Sequence, residues 1–154
     1  MKTLKSFGCL FILFSMIFIQ SSSAQDRSKQ VQVTIRQQDP YGSYLTDNDG
    51  KSLYLFLKDS NGTSACYNQC AVAWPPLITK DKKIKGGKGV QASLLGTVER
   101  KDGSLQVTYN GHPLYYYEDD KNPGDVEGQD KDEFGEEWYL VKPNGAKMGD
   151  VEEK

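Results

Sequence analysis

From Val31 to Arg36 apolar and polar residues alternate in steps of two (Val-Gln-Val-Thr-Ile-Arg), which predicts a half-buried strand. Asp39-Pro40-Tyr41-Gly42 breaks it as a turn. A second strand begins at Ser43–Thr46, and Asp47-Asn48-Asp49-Gly50 closes a hairpin, because these residues tolerate the positive φ of tight turns. Ser52 to Leu57 reads as a third strand with Leu53, Leu55 and Leu57 on one face and Tyr54 and Phe56 on the other. Apolar residues on both faces predict a central strand covered on both sides.

Further along, Ser64 is placed to cap a short helix running to about Ala73, which Trp74-Pro75-Pro76-Leu77 ends. Residues 81–89 are rich in lysine and glycine and read as an exposed loop; residues 90–98 suit a helical turn stopped by Gly96. Leu105, Val107 and Tyr109 alternate as a strand, Asn110-Gly111 signals a hairpin, and residues 113–118 read as its returning strand. Half the residues of 118–137 are acidic, which predicts a long loop of the kind that is functional or mobile. Trp138–Val141 restores strand character before a polar tail, 144–154.

The two aromatic strands are copies of one another. Gly42, Gly50, Leu53, Tyr54, Phe56 and Asp59 recur 61 positions later as Gly103, Gly111, Leu114, Tyr115, Tyr117 and Asp120. Self-similarity at a fixed offset marks a duplication. Trp138 reads as the second-repeat partner of Trp74, displaced by three residues. The fold class expected is therefore mainly β: two pseudo-symmetric antiparallel β repeats packed as one domain, with short helical turns. The first repeat spans about 42–77 and the second about 103–143, after a leader and first strand at 25–41.

At these residues the sequence resembles the bacterial secreted-repeat family, many of its members lipoproteins, whose signature is Tyr-x-(Phe/Trp/Tyr)-x-x-Asp. Here it reads Tyr54-x-Phe56-x-x-Asp59 and Tyr115-x-Tyr117-x-x-Asp120. The likeness continues through Cys66–Leu77, Leu94–Thr97, Arg100–Gly103 and Gln106–Gly111, covering roughly Gly42 to Pro143. That family has no established activity, so the resemblance implies an architecture and a compartment but no reaction.

The first residues bear on the compartment. Lys2 and Lys5, an apolar run from Leu10 to Ile19 and Ser22-Ser23-Ala24 have the layout of a cleavable signal peptide, 1–24. The run is too short to cross a bilayer, which takes about 20 residues. Secretion or a periplasmic location follows, with no transmembrane segment after signal removal. Cys9 precedes most of the apolar run, whereas a lipid-bearing cysteine follows it, so lipid anchoring at Cys9 is not supported. Without Lys2 and Lys5 the 19 basic residues become 17 against 21 acidic ones, a net charge of −4. Such a chain lacks the basic surface that nucleic acid requires.

Cys66 and Cys70 are the cysteines beyond the leader, and in an oxidising compartment the pair reads as a local disulfide. A zinc site needs more ligands than the lone His112 supplies. The four-residue spacing also differs from the Cys-x-x-Cys of thioredoxin-like enzymes.

Asp59 and Asp120 can be read as a carboxylate pair for acid/base work. They can equally be strand-end residues that tie down the following turn by accepting backbone N–H bonds, and recurrence in both halves favours that repeated structural need. Tyr54, Phe56, Tyr115 and Tyr117 can line a groove or pack a core, and strands favour aromatic residues for packing alone. Asp125, Glu127, Asp130 and Asp132 are weak candidates for Ca²⁺, since their spacing matches no EF-hand. No other cofactor is expected. The reading is a non-catalytic extracytoplasmic module whose partner is an unknown small ligand or envelope protein. The alternatives are a carboxylate-dependent hydrolase, a thiol redox protein or a calcium-stabilised binding module.

Overall fold

The computed structural model describes residues 30–60 and 62–149. The expected signal peptide 1–24, its cleavage site and Cys9 lie outside these residues, as does the end of the chain from Asp150. The strands are β1 (Gln32–Gln38), β2 (Gly42–Asp47), β3 (Tyr54–Phe56), β4 (Ile78–Thr79), β5 (Lys85–Gly86), β6 (Leu95–Glu99), β7 (Leu105–Tyr109), β8 (His112–Pro113), β9 (Lys131–Glu133) and β10 (Glu136–Leu140). A single short helix, α1 (Gln69–Ala73), and a 3-10 turn at Ala92–Leu94 complete the described elements. The fold is mainly β, as expected.

Three small sheets form, ordered β2-β1-β5, β3-β10-β9 and β4-β7-β6, with β8 on β7. β1 and β2 are an antiparallel hairpin running from Val33↔Asp47 to Gln38↔Gly42. β6 and β7 are its copy, from Leu95↔Tyr109 to Glu99↔Leu105. The first motif strand, β3, pairs with β10 at the other end of the chain, Tyr54 opposite Leu140 and Phe56 opposite Trp138. Each repeat thus completes its sheet with chain from elsewhere.

The alternation read from Leu53 to Phe56 holds, with one core on each face. Leu53 and Leu55 pack with Val33, Leu45, Leu77, Val107, Leu114, Tyr139 and Val141. Tyr54 and Phe56 pack with Tyr44, Cys66, Cys70, Trp74, Tyr115, Tyr117, Trp138, Leu140 and Met148. Leu57 departs from the pattern and is 38% exposed, because the strand has already ended.

Several expectations are corrected. Ser64 caps no helix: its hydroxyl is bound in the core, and the helix begins only after Asn68, which sits at φ 54 with no side-chain cap. Gly96 does not stop a helical turn; it lies within β6, where Thr108 Oγ1 takes the space a side chain would need. Lys85–Gly86 are not loop but pair in parallel with β1. The second motif stretch is strand only at His112–Pro113, and beyond it Tyr115 makes isolated bridges to Tyr54 and Pro76. The acidic stretch is packed, with Asp120 buried and Gly128 against Trp74 and Tyr54. The expected tail from Asn144 turns back instead: Val141 bridges Lys147, and Met148 is buried with its N–H on Leu140 O.

The internal symmetry also has a finer register than 61. Thr34 meets Thr46 across the first hairpin and Gly96 meets Thr108 across the second, an offset of 62. The first hairpin turns through three residues between Asp47 and Lys51, the second through two between Tyr109 and His112, which absorbs the difference. Gly42 and Gly103 are therefore one step out of register. Each repeat also starts earlier than expected, with β1 and β6.

Candidate functional site

The two motif strands meet where the copies face each other. Tyr54 and Tyr115 exchange both backbone bonds, N–H to carbonyl, at 2.9 and 3.0 Å. Their hydroxyls then cross over: Tyr54 donates to Asp120 Oδ2 at 2.6 Å, and Tyr115 donates to Asp59 Oδ2 at 2.8 Å. The other oxygen of each carboxylate accepts a backbone N–H, from Ala65 for Asp59 at 2.7 Å and from Glu127 for Asp120 at 2.9 Å. Each aspartate thus pins its own following turn to the other repeat's tyrosine.

The motif aromatics stack in the same crossed manner. Phe56 lies on Trp138 (centroids 3.9 Å, planes 7° apart), Trp138 on Trp74 (3.9 Å, 5°) and Trp74 on Tyr117 (4.3 Å, 32°). Tyr54 meets Trp74 edge-on at 5.4 Å and Tyr115 meets Trp138 edge-on at 5.1 Å, the arrangement an aromatic quadrupole prefers. The correspondence of Trp74 with Trp138 holds as face-to-face contact. Both are fully buried, so no ring of the stack offers an open platform to a ligand.

Beyond Tyr115 the first side of the network continues to a buried cation. The Tyr115 hydroxyl meets Ser64 Oγ at 2.8 Å, and Arg100 Nη1 donates to Ser64 Oγ at 2.8 Å and to Gln106 Oε1 at 2.6 Å. Arg100 Nη2 donates to Cys66 O at 2.7 Å, and its guanidinium lies over the Tyr67 ring at 4.4 Å. Cys66 and Cys70 form the expected disulfide, Cα atoms 5.2 Å apart, inside the core beside Trp74. Ser64 and Arg100 were missed as network residues by the sequence reading. Arg100 had one signal, its place in a stretch that looks like the secreted-repeat family, which does not reveal burial.

Burial governs the titration of this network. It pushes the Asp59 carboxyl up to about 6 despite the opposing bonds from Ala65 and Tyr115. It pushes Asp120 up to about 6 as well, with Asp125 and Glu127 adding to the effect. The hydroxyls of Tyr54 and Tyr115 are raised by burial and by the facing carboxylates, so both stay protonated donors.

One open cleft of about 360 Å³ borders this network, lined by Asp59, Gly62, Asn110, Gly111, His112 and Pro113. His112 is half-buried, and burial lowers its pKa. The acidic candidates do not gather. Asp125 is tied to Asn122 by the N–H and side-chain amide, while Glu127, Asp130 and Asp132 are exposed. Among the described residues no three His, Cys, Asp or Glu side chains converge to hold a metal ion. Among the same residues no helix is long and apolar enough to cross a membrane.

A duplicated β module whose signature residues build its own interior is the class these features define. The chain belongs to the family described as a secreted repeat of unknown function, whose model matches residues 36–78 and 96–142. No curated protein and no solved structure matches the chain.

Proposed function

We propose that the protein is a non-catalytic extracytoplasmic module, working in a bacterial periplasm or outside the cell, that binds a small ligand or an envelope component. One observation carries this reading: both motif carboxylates are held by a tyrosine hydroxyl and a backbone amide of the fold. A hydrolase would need the two carboxylates to face one substrate, whereas each here serves a different tyrosine. The thiol alternative meets a similar obstacle, since Cys66 is fully buried and Cys70 is 6% exposed. Among the described residues, an open cleft beside Asp59 faces solvent.

A thermal-shift panel of the chain from Gln25 to Lys154 against divalent metals, sugars, haem and envelope fractions tests it. A ligand that binds only the folded state must raise its Tm. A reproducible rise with one ligand class supports a binding module. Turnover of any substrate that disappears in Asp59→Asn, with the fold intact, would replace it with an enzyme.

A further inference from the structure

We propose that the cleft beside Asp59 receives a guanidinium group, the same chemistry with which the other repeat fills its own copy of this cleft. The proposal deepens the binding-module reading and rests on it. Gly50 and Gly111 hold equivalent hairpin positions, at φ 81 and 79. A Cβ on Gly50 would meet Pro123 Cβ at 3.2 Å and Arg36 Nη1 at 3.6 Å; a Cβ on Gly111 would meet nothing within 4 Å among the described residues. Among the described residues, one copy is occupied and the other is open.

The occupant is well defined. Gly124 follows Asp120 as Gly62 follows Asp59, both in the left-handed region, and each lies against its hairpin glycine. Gly124 N–H donates to Gly50 O at 3.0 Å. The Arg36 guanidinium lies on the bare face of Gly124, where a Cβ would be 2.6 Å from Cζ and Nη2. Its Nε–H donates to Gln38 Oε1 at 3.0 Å, and Gln38 in turn donates to Gly124 O at 3.1 Å.

Two differences empty the first cleft. Arg36 pairs with Tyr44 across its hairpin and Val98 pairs with Gln106, so the short Val98 stands at the arginine's position. The turn bridged by Asp59 and Ala65 also has one residue fewer than the turn bridged by Asp120 and Glu127, so that no proline reaches over the hairpin.

The open cleft suits a planar cation. Asp59 is its one carboxylate, and each oxygen accepts one bond from the fold, leaving a second lone pair. The burial that lowers the His112 pKa favours the neutral ring, so it adds no opposing charge at neutral pH. Arg100, whose charge reaches Asp59 and favours its ionised form, is buried behind Ser64 and Tyr115 and does not line the cleft. A guanidinium can donate to the carboxylate while its face packs on glycine, as Arg36 packs on Gly124. The group can come from a free guanidine or from an arginine side chain of a partner protein.

His112 is the chain's single histidine, so its imidazole resonances report on the cleft without ambiguity. Titration of the intact protein with methylguanidinium or with acetyl-arginine amide is expected to shift them saturably. Methylurea, the uncharged isostere, is expected to bind about tenfold more weakly, having lost a charge-assisted bond. Tighter binding of the arginine amide assigns the source to a protein side chain. Val98→Arg, which supplies the missing internal guanidinium, is expected to abolish the response with near-UV circular dichroism unchanged. If that variant does not fold, the wild-type titration still decides. Equal responses to methylurea and methylguanidinium overturn the guanidinium assignment and leave the binding module standing. Calorimetric binding of methylguanidinium with no change at His112 overturns the site, and silence here and across the thermal-shift panel overturns both readings.

Discussion

Tyr54 and Tyr115, 61 residues apart, are each other's backbone partners, so the pseudo-twofold axis of the duplication passes between them. From that axis the hydroxyls reach across in opposite directions to Asp120 and Asp59.

Tyr54→Phe is expected to lower the unfolding free energy by about 1–3 kcal/mol, the cost of leaving a buried carboxylate short of a donor. Double-mutant cycles in urea locate the pairing. Tyr54→Phe should be non-additive with Asp120→Asn and additive with Asp59→Asn. The reverse pattern would mean that each tyrosine serves its own repeat's aspartate.

The parallel, closely stacked rings of Trp74 and Trp138 should couple electronically in the near-ultraviolet. A circular dichroism couplet is expected in the wild type and lost in both Trp74→Phe and Trp138→Phe. Trp138→Ala should cost about 3–5 kcal/mol, as for other large buried aromatics. A variant that melts like the wild type would contradict the stack.

Burial holds Asp59 and Asp120 at about 6 rather than 3.8, so the fold disfavours their ionised forms. Their contribution to stability is full below about pH 4 and lost as pH rises through about 6. His112, lowered from 6.5 by burial, acts in the opposite sense: its contribution is present above that value and lost as pH falls. Comparing Tm for the wild type and Asp120→Asn from pH 4 to 7 isolates one carboxyl. The gap should narrow as pH rises, and a constant gap would show that Asp120 titrates normally.

The Cys66–Cys70 bridge closes a very short loop, and removing it by Cys66→Ala with Cys70→Ala should cost about 2 kcal/mol on the chain-entropy account. Intact mass of exported protein should show both thiols oxidised. Free thiols would contradict the bridge.

Legibility differed from one part of the chain to another for physical reasons. The alternation at Leu53–Phe56 was visible because a strand covered on both faces leaves apolar residues on both. The Tyr-Asp signature was visible because it recurs in both halves, yet its crossing was not, since sequence gives no sign of which copy a carboxylate faces. The Ser64 helix failed because a hydroxyl suited to capping was claimed by Tyr115 and Arg100 instead. The cleft at Asp59 and His112 was invisible for a similar reason: it depends on Val98 and on one missing loop residue, differences that appear only once the copies are superposed.

The crossed bonds also constrain how the chain becomes a protein. The hydroxyl of Tyr54 waits for a carboxylate 66 positions further on, and Asp59 for a hydroxyl 56 positions further on. In a chain delivered N-terminus first, the leading repeat emerges with its central polar groups unanswered. Those groups are answered only once Tyr115 and Asp120, midway through its twin, have followed.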